Sequence, residues 1–177
     1  MTGSQINLRN QGMTRAFVFP GQGSQAVGMG KELADAFSAA RHVFEEVDET
    51  LKQNLTKVMF EGPDDDLRLT ENAQPALMAV SVAIVRVIQK EGNVALPDVA
   101  SYVAGHSLGE YAALAAAGAL SLADTARLLK LRGTTMQKAV PVGQGAMAAL
   151  MGPTVEETEA IAADAVAAGE AGDVCDL

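Results

Sequence analysis

The sequence is poor in the residues that mark disulfide-rich and membrane proteins. Among 177 residues it has one cysteine, no tryptophan and only 4% aromatic residues. The single Cys175 excludes an internal disulfide and is compatible with the cytoplasm, where we expect the protein to be. The longest apolar stretches have about ten residues, against the roughly 20 needed to cross a bilayer, so we expect no membrane span.

Positive charge is also scarce. Lys and Arg number 13 against 22 Asp and Glu, which gives a net charge of -9. Binding to nucleic acid or to an anionic membrane needs a basic face, so we expect neither partner. Hydrophobic residues make up 49% of the chain and are mostly aliphatic, which favours an α/β or α-rich fold.

Two strand-and-turn patterns organise the first two thirds of the chain. Residues 15–19 are apolar and β-prone and are stopped by Pro20, which predicts a buried strand followed by a glycine-rich loop. Residues 99–104 predict a second strand that leads into Gly105, with a helix starting at Leu108. The second pattern places Ser107 between a strand and a helix.

Apolar periodicity predicts several helices around these strands. The helix at 74–91 has Pro75 near its first position, and Ser121 starts another as a cap, with Asp124 completing a capping box. A strand is predicted at 145–151 and the start of one more at 174–175. The predicted helices are 31–54 with a break near Ser38, a short helix after Pro63, 74–91, 108–117, 121–140 and 154–169.

The strand-to-helix turn contains the pattern G-x-S-x-G, which is typical of a nucleophile elbow. Its glycines relieve crowding so that Ser107 can occupy a strained turn with an exposed hydroxyl. The N–H of Leu108 would then face an oxyanion, and the Gln22 N–H, between two glycines, is the natural second donor. The alternative interpretation is an ordinary turn with a capping serine.

The glycine loop has a rival interpretation. Residues 21–26 fit G-x-G-x-x-A, the dinucleotide-binding fingerprint. Against it, Pro20 interrupts the strand-to-loop transition, and the sequence about twenty positions on is helical instead of a strand that ends in an acidic residue.

Taken together, four motifs resemble a known family. They are FPGQGSQ at 19–25, QPA at 74–76, GHSLGE at 105–110, and Arg132-Gly133 with Met136-Gln137. In this order and spacing the chain resembles the malonyl-CoA:acyl carrier protein transacylases of bacterial fatty acid synthesis, from about Thr14 onward. The resemblance implies an α/β fold: a leader at 1–13, an incomplete α/β-hydrolase-like large subdomain at 14–142, and the truncated start of an inserted ferredoxin-like subdomain at 143–177.

The resemblance also implies roles for four residues. Ser107 is the nucleophile, the Gln22 and Leu108 amides form the oxyanion hole, and Arg132 binds the malonyl carboxylate. From the sequence alone, Arg132 would instead be a surface residue late in a helix. The implied substrate is malonyl-CoA and the implied partner is acyl carrier protein, with no metal or redox cofactor; Arg127, Lys130 and Lys138 are a candidate basic patch for that partner.

The chain offers no convincing general base. His42 lies in a polar helical stretch, and His106 is better suited to support the turn than to take the Ser107 proton. In the family the catalytic histidine comes from a later segment, so we expect this polypeptide alone to be inactive and a remaining C-terminal segment to supply the base. A serine esterase or thioesterase, and a fragment that serves only in assembly, remain alternative functions.

Overall fold

A computed structural model describes residues 14–139 and 150–168 of an α/β chain. The chain divides into two compact units, Met1–Pro141 and Val142–Leu177. The predicted leader, the strand at 174–175 and most of the strand at 145–151 lie outside the described residues. In the first unit the elements are β1 (Ala16–Phe19), α1 (Lys31–Ala36), α2 (Ser38–Leu51), α3 (Leu55–Glu61), α4 (Asp64–Arg68), α5 (Thr70–Glu91), α6 (Leu96–Val99), β2 (Tyr102–Gly105), α7 (Leu108–Ala116) and α8 (Leu122–Ala139); the second unit contributes α9 (Val155–Ala167).

The strands β1 and β2 form a parallel pair, in which Ala16 lies opposite Tyr102 and Phe19 opposite Gly105. Five helices precede α6 in the crossover between them, as a parallel connection requires a long return path. The strand predicted from residue 99 starts later, because residues 96–99 form the short helix α6. Pro97 sits in the first turn of α6, where its fixed φ and missing N–H are tolerated.

The expectation of a fully buried β1 is wrong for one of its two faces. Phe17 is half-buried and Phe19 is buried, but Val18 is 74% exposed. Successive side chains of a strand point to opposite faces, and helices cover one face of this sheet within the described residues. The other face of the pair remains open.

The helix α5 is the centre of the first unit and packs against α2, α7 and α8. It was predicted as a buried helix, and this is confirmed, but it begins at Thr70 instead of residue 74. Pro75 therefore lies in its second turn and leaves the Glu71 carbonyl without an intrahelical bond. Tertiary bonds from Asn72 hold the extra turn: its Nδ2 donates to the Asp66 carbonyl at 2.9 Å, and its Oδ1 accepts from Gln53 Nε2 at 2.9 Å.

Side-chain caps define the starts of α8 and α9. Ser121 Oγ accepts from the Asp124 N–H at 3.0 Å, as predicted. The Asp124 carboxylate accepts from the Ser121 hydroxyl at 2.7 Å, whereas in a capping box it would accept from the Ser121 backbone N–H. Thr154 and Glu157 form a complete box at α9. No helix in the described ranges combines the length and apolar character needed to span a bilayer.

The close approach of α8 to the start of α5 depends on Gly133. A Cβ at this position would lie 2.6 Å from Glu71 Cα and 2.7 Å from the Thr70 carbonyl oxygen. Both neighbours are backbone atoms, which cannot rotate away as a flexible side chain would. The glycine thus sets the distance between the two helices, next to Arg132.

We therefore expect Gly133→Ala to destabilise the chain by about 1–3 kcal/mol, through overpacking. Helix propensity alone predicts the opposite sign, a gain of about 1 kcal/mol. Urea unfolding of both variants checks this, with Thr135→Ala on the exposed side of α8 as the matched control, expected to change stability by less than about 1 kcal/mol. A stabilised Gly133→Ala would show that the helices separate without cost.

Candidate active site

Ser107 stands in a strained conformation between β2 and α7. Its φ of 55° and ψ of -116° are unusual for a residue with a side chain. Such strain costs about 1–3 kcal/mol and persists only where the surroundings enforce it. Two short-range bonds close the turn: Gly109 N–H donates to the His106 carbonyl at 2.8 Å and Glu110 N–H to the Ser107 carbonyl at 3.1 Å.

The two glycines of the motif are required by contact with backbone atoms. A Cβ at Gly105 would lie 2.0 Å from the Gly109 carbonyl carbon and oxygen, and a Cβ at Gly109 would lie 2.3 Å from the Phe19 carbonyl oxygen. The turn therefore folds back on itself and rests against the end of β1. These are the close contacts that a nucleophile elbow requires.

We expect Gly105→Ala to lower the free energy of unfolding by about 3 kcal/mol or more, because overpacking against backbone cannot relax through a rotamer change. Gly118→Ala is the control: it has free space but a φ of 76°, so only the left-handed penalty of about 1–2 kcal/mol applies. Chemical denaturation of the two variants checks the order. Equal losses would mean that the elbow adjusts freely.

The predicted oxyanion donors are available. Leu108 is the first residue of α7, so its N–H points out of the helix start, while its side chain is buried. In residues 14–139 and 150–168 no acceptor bonds the backbone N–H of Leu108 or Gln22. Gly21 lets the loop approach the elbow closely, because a Cβ at this position would lie only 2.5 Å from His106 Nδ1.

The dinucleotide interpretation of this loop is wrong. A nucleotide fingerprint opens a helix whose N-terminus meets the pyrophosphate. Here turns and irregular backbone follow Gly23, and α1 begins only at Lys31. The glycines therefore border a loop beside Ser107 and do not start a helix.

Arg132 reaches the serine directly. Its Nη2 donates to Ser107 Oγ at 3.0 Å, and its Nη1 donates to Gln74 Oε1 at 2.8 Å. Its guanidinium carbon also lies 5.9 Å from the centre of the Tyr111 ring, within the range of a cation–π contact. The fold thus brings together two residues that the sequence analysis singled out, 25 positions apart.

Gln74 is a site residue to which sequence reasoning assigned no role. It is 1% exposed in the second turn of α5, and its Nε2 contacts Met136 Sδ at 3.3 Å. A buried amide needs hydrogen-bond partners, so its polar character within an apolar helix was the signal that could have found it. Its function in the structure is to hold Arg132.

Neither histidine bonds the serine. His42 is exposed on α2, and the ring of His106 lies beside Gly21. Across the described ranges, the hydrogen-bond partner of Ser107 Oγ is Arg132, and no imidazole accepts from it. The same ranges hold no group of three or more His, Cys, Asp or Glu side chains placed to bind a metal.

Two of the three residues of the expected basic patch on α8 have hydrogen-bond acceptors beside them. Arg127 Nη1 bonds the Asp124 carboxylate at 3.0 Å, and Lys130 Nζ lies 3.1 Å from Asn72 Oδ1 and 3.6 Å from Glu71 Oε1. These neighbours come from the same helix and from α5. Both cations are therefore partly neutralised within the unit.

Comparison with known proteins decides the family. The family model described as "Acyl transferase domain" matches residues 16–173. The chain belongs to this acyl transferase family. The match covers both strands, Ser107 and Arg132.

Several relatives of this acyl transferase chain are malonyl transacylases. The chain is 51% identical over 80% of its length to the malonyl CoA-acyl carrier protein transacylase of Bacillus subtilis, and 47% identical over 77% to that of Escherichia coli K12, covering 43% of each relative. A solved acyl-carrier-protein S-malonyltransferase from Bartonella henselae is 55% identical, with a TM-score of 0.84, 93% of this chain covered and 51% of the other. A type II polyketide malonyl-transacylase in complex with its acyl-carrier protein is 46% identical, with a TM-score of 0.67, covering 73% of this chain and 40% of the other. The chain thus spans about half the length of the proteins it matches.

The contact between Gln74 and Arg132 is testable by a double-mutant cycle with Gln74→Leu and Arg132→Met. We expect a coupling energy of about 1.5–3 kcal/mol, as for a hydrogen bond to a charged group. Thermal or urea unfolding of the four proteins measures it. Pairing Gln74→Leu with Thr135→Ala is the control and should be additive within about 0.5 kcal/mol; equal additivity for Arg132 would refute the anchoring role.

Proposed function

We propose that this chain is the nucleophile-bearing part of a malonyl-CoA:acyl carrier protein S-malonyltransferase of fatty acid biosynthesis. The observation that supports it most is the contact of a cationic guanidinium with the hydroxyl of an elbow serine. An acyl transferase that moved an uncharged acyl group would have no use for a cation at this position. The names of the relatives agree with this choice of substrate.

In the first half-reaction Ser107 Oγ attacks the thioester carbonyl of malonyl-CoA. The carbonyl oxygen becomes an oxyanion facing the Gln22 and Leu108 amides, which have no other acceptor in the described residues. The C–S bond then breaks, coenzyme A leaves as the thiol and a malonyl ester remains on the serine. In the second half-reaction the phosphopantetheine thiol of acyl carrier protein attacks this ester by the same path.

Arg132 selects malonyl. Gln74 Oε1 binds the Nη1 of its guanidinium, and the Nη2 binds Ser107 Oγ. An acyl group on Ser107 therefore lies beside the planar N–H donors of the guanidinium. A carboxylate matches this geometry with charge-assisted hydrogen bonds. An acetyl group leaves the cation unpaired, and the site discriminates against it for that reason.

The base is supplied from outside this chain. A guanidinium only donates hydrogen bonds, so Arg132 cannot take the serine proton. We infer that a histidine in the later part of the longer protein does so, that residues 14–142 belong to an α/β-hydrolase-like subdomain, and that 143–177 begin a ferredoxin-like one. The chemistry needs no metal or redox cofactor.

A completed chain tests the proposal. It consists of residues 1–177 followed by the C-terminal part of the Bartonella henselae relative that this chain does not match. We expect it to transfer malonyl from coenzyme A to acyl carrier protein, while the 177-residue chain and the completed Ser107→Ala variant do not, because base and nucleophile are then never present together. Measuring thiol release and carrier-protein mass separates transfer from hydrolysis; faster release to water would favour a thioesterase, and an unreactive Ser107 toward a fluorophosphonate would favour a non-enzyme role.

Arg132→Ala in the completed chain tests the selection. We expect kcat/KM for malonyl-CoA to fall about 100-fold or more and that for acetyl-CoA to change less than about tenfold, because only malonyl loses a charge-assisted pair. Leu131→Ala, on the exposed side of the same helix, is the control and should leave both values within about twofold. Equal losses for the two substrates would contradict the role in selection.

A further inference from the structure

The ring of Tyr111 lies against the guanidinium of Arg132. Tyr111 follows Ser107 by four positions, so its side chain lies about one helical turn from the nucleophile, on the same side of α7. The guanidinium carbon is 5.9 Å from the centre of the ring, and both side chains are half-buried. A cation over an aromatic face is attracted by the electron density of the ring. Tyr111 thus joins Gln74 and Ser107 as a partner of Arg132.

The core of the first unit holds the Tyr111 ring in place. The ring packs against the cluster of buried apolar side chains, and its neighbours Ala112 and Ala113 are buried. The helix α7 packs against both strands and against α5 and α8. A tyrosine ring is rigid and has only two side-chain torsions, so such packing fixes its orientation at little cost in entropy. The helix that begins beside the nucleophile therefore also sets the position of the ring.

The ring restrains Arg132 without using its charge or its N–H donors. A guanidinium has five donors, of which Nη1 gives one to Gln74 and Nη2 gives one to Ser107. Within residues 14–139 and 150–168 no carboxylate forms a salt bridge with Arg132, whereas Lys130 on the same helix lies 3.6 Å from Glu71 Oε1. A carboxylate partner would neutralise the cation and compete with an acidic ligand. An aromatic partner leaves the charge and the remaining donors available.

We propose that Tyr111 is a positioning residue that orients Arg132 toward the carboxylate of the malonyl group. The inference rests on the proposed function, which supplies the ligand of Arg132. Its effect is greatest after acylation, when Ser107 Oγ has become an ester oxygen, which is a weaker acceptor than a hydroxyl. The bond from Nη2 then weakens, and the Gln74 amide and the Tyr111 ring keep the guanidinium in place. Tyr111 acts through Arg132 and takes no part in the chemistry.

Substitution of Tyr111 in the completed chain tests the proposal by its kinetics. We expect Tyr111→Leu to lower kcat/KM for malonyl-CoA about tenfold, mainly by raising KM, because the contact orients Arg132 equally for the bound substrate and for the transition state. The value for acetyl-CoA should change less than about threefold, since acetyl has no carboxylate. Tyr111→Phe keeps the ring and should keep malonyl transfer within about threefold. Equal losses for the two substrates, or an equal loss in the Phe variant, would overturn the proposal.

The same substitution in an Arg132→Ala background separates positioning from a general structural role. Once the guanidinium is absent, Tyr111→Leu should change kcat/KM for malonyl-CoA by less than about twofold, because two residues that act through one contact are not additive. Thr135→Ala, on the exposed side of α8, is the control and should leave the value within about twofold in either background. A full further loss from Tyr111→Leu in the Arg132→Ala background would show a structural role and contradict positioning.

Proton NMR of the 177-residue chain tests the contact without any catalysis. The ring current of an aromatic side chain shifts protons above its face upfield, so we expect upfield-shifted Arg132 side-chain resonances in the unsubstituted chain and in Tyr111→Phe, but not in Tyr111→Leu. The spectrum of Arg132→Met identifies these resonances. Unshifted Arg132 resonances in the unsubstituted chain would overturn the proposal, even if the completed chain is active. A shift that Tyr111→Leu abolishes supports the proposal, and an inactive completed chain would then count against the proposed function alone.

Discussion

The site depends on the contact between the start of α7 and the end of β1. Gly109 lies so close to the Phe19 carbonyl that no side chain fits, and Gly105 lies equally close to Gly109. This contact holds Ser107 at its unfavourable φ and presents its hydroxyl outside the helix. It also brings the Gln22 loop, which follows β1, to the same end of the sheet.

The position of Arg132 depends on how closely α5 and α8 pack against each other. Gly133 lets α8 approach the backbone of α5, and the neighbouring Arg132 then lies between buried Gln74 and Ser107. Long cationic side chains normally sample many conformations, and fixing one costs entropy. A buried amide partner lowers that cost, because it already orients the guanidinium beside Ser107.

One face of the two-stranded sheet is open within the described residues. Parallel sheets are normally covered on both faces, and the described residues cover one face of this pair. In the proposed function, the histidine that activates Ser107 comes from a later part of the longer protein.

The sequence by itself determined the local features. Apolar periodicity and turn residues predicted β1, the break before α2, the helix after Ser107 and the Ser121 cap of α8, because these depend on neighbours within about four positions. The motif of two glycines around Ser107 predicted the elbow for the same reason. The names of the relatives then agree with the family that the motifs indicated.

Only the tertiary structure decided the features that join distant segments. The start of α5 moved to Thr70 because Asn72 bonds residues in two other segments, and Lys130 is paired because of where Asn72 and Glu71 lie. Gln74 binds Arg132, which stands 58 positions later in the sequence, because α8 packs across α5. No local pattern encodes such contacts, since they are set by how helices pack. The elbow at Ser107 was readable in advance because its two glycines stand within five consecutive residues, although the Phe19 carbonyl that Gly109 meets belongs to a distant strand.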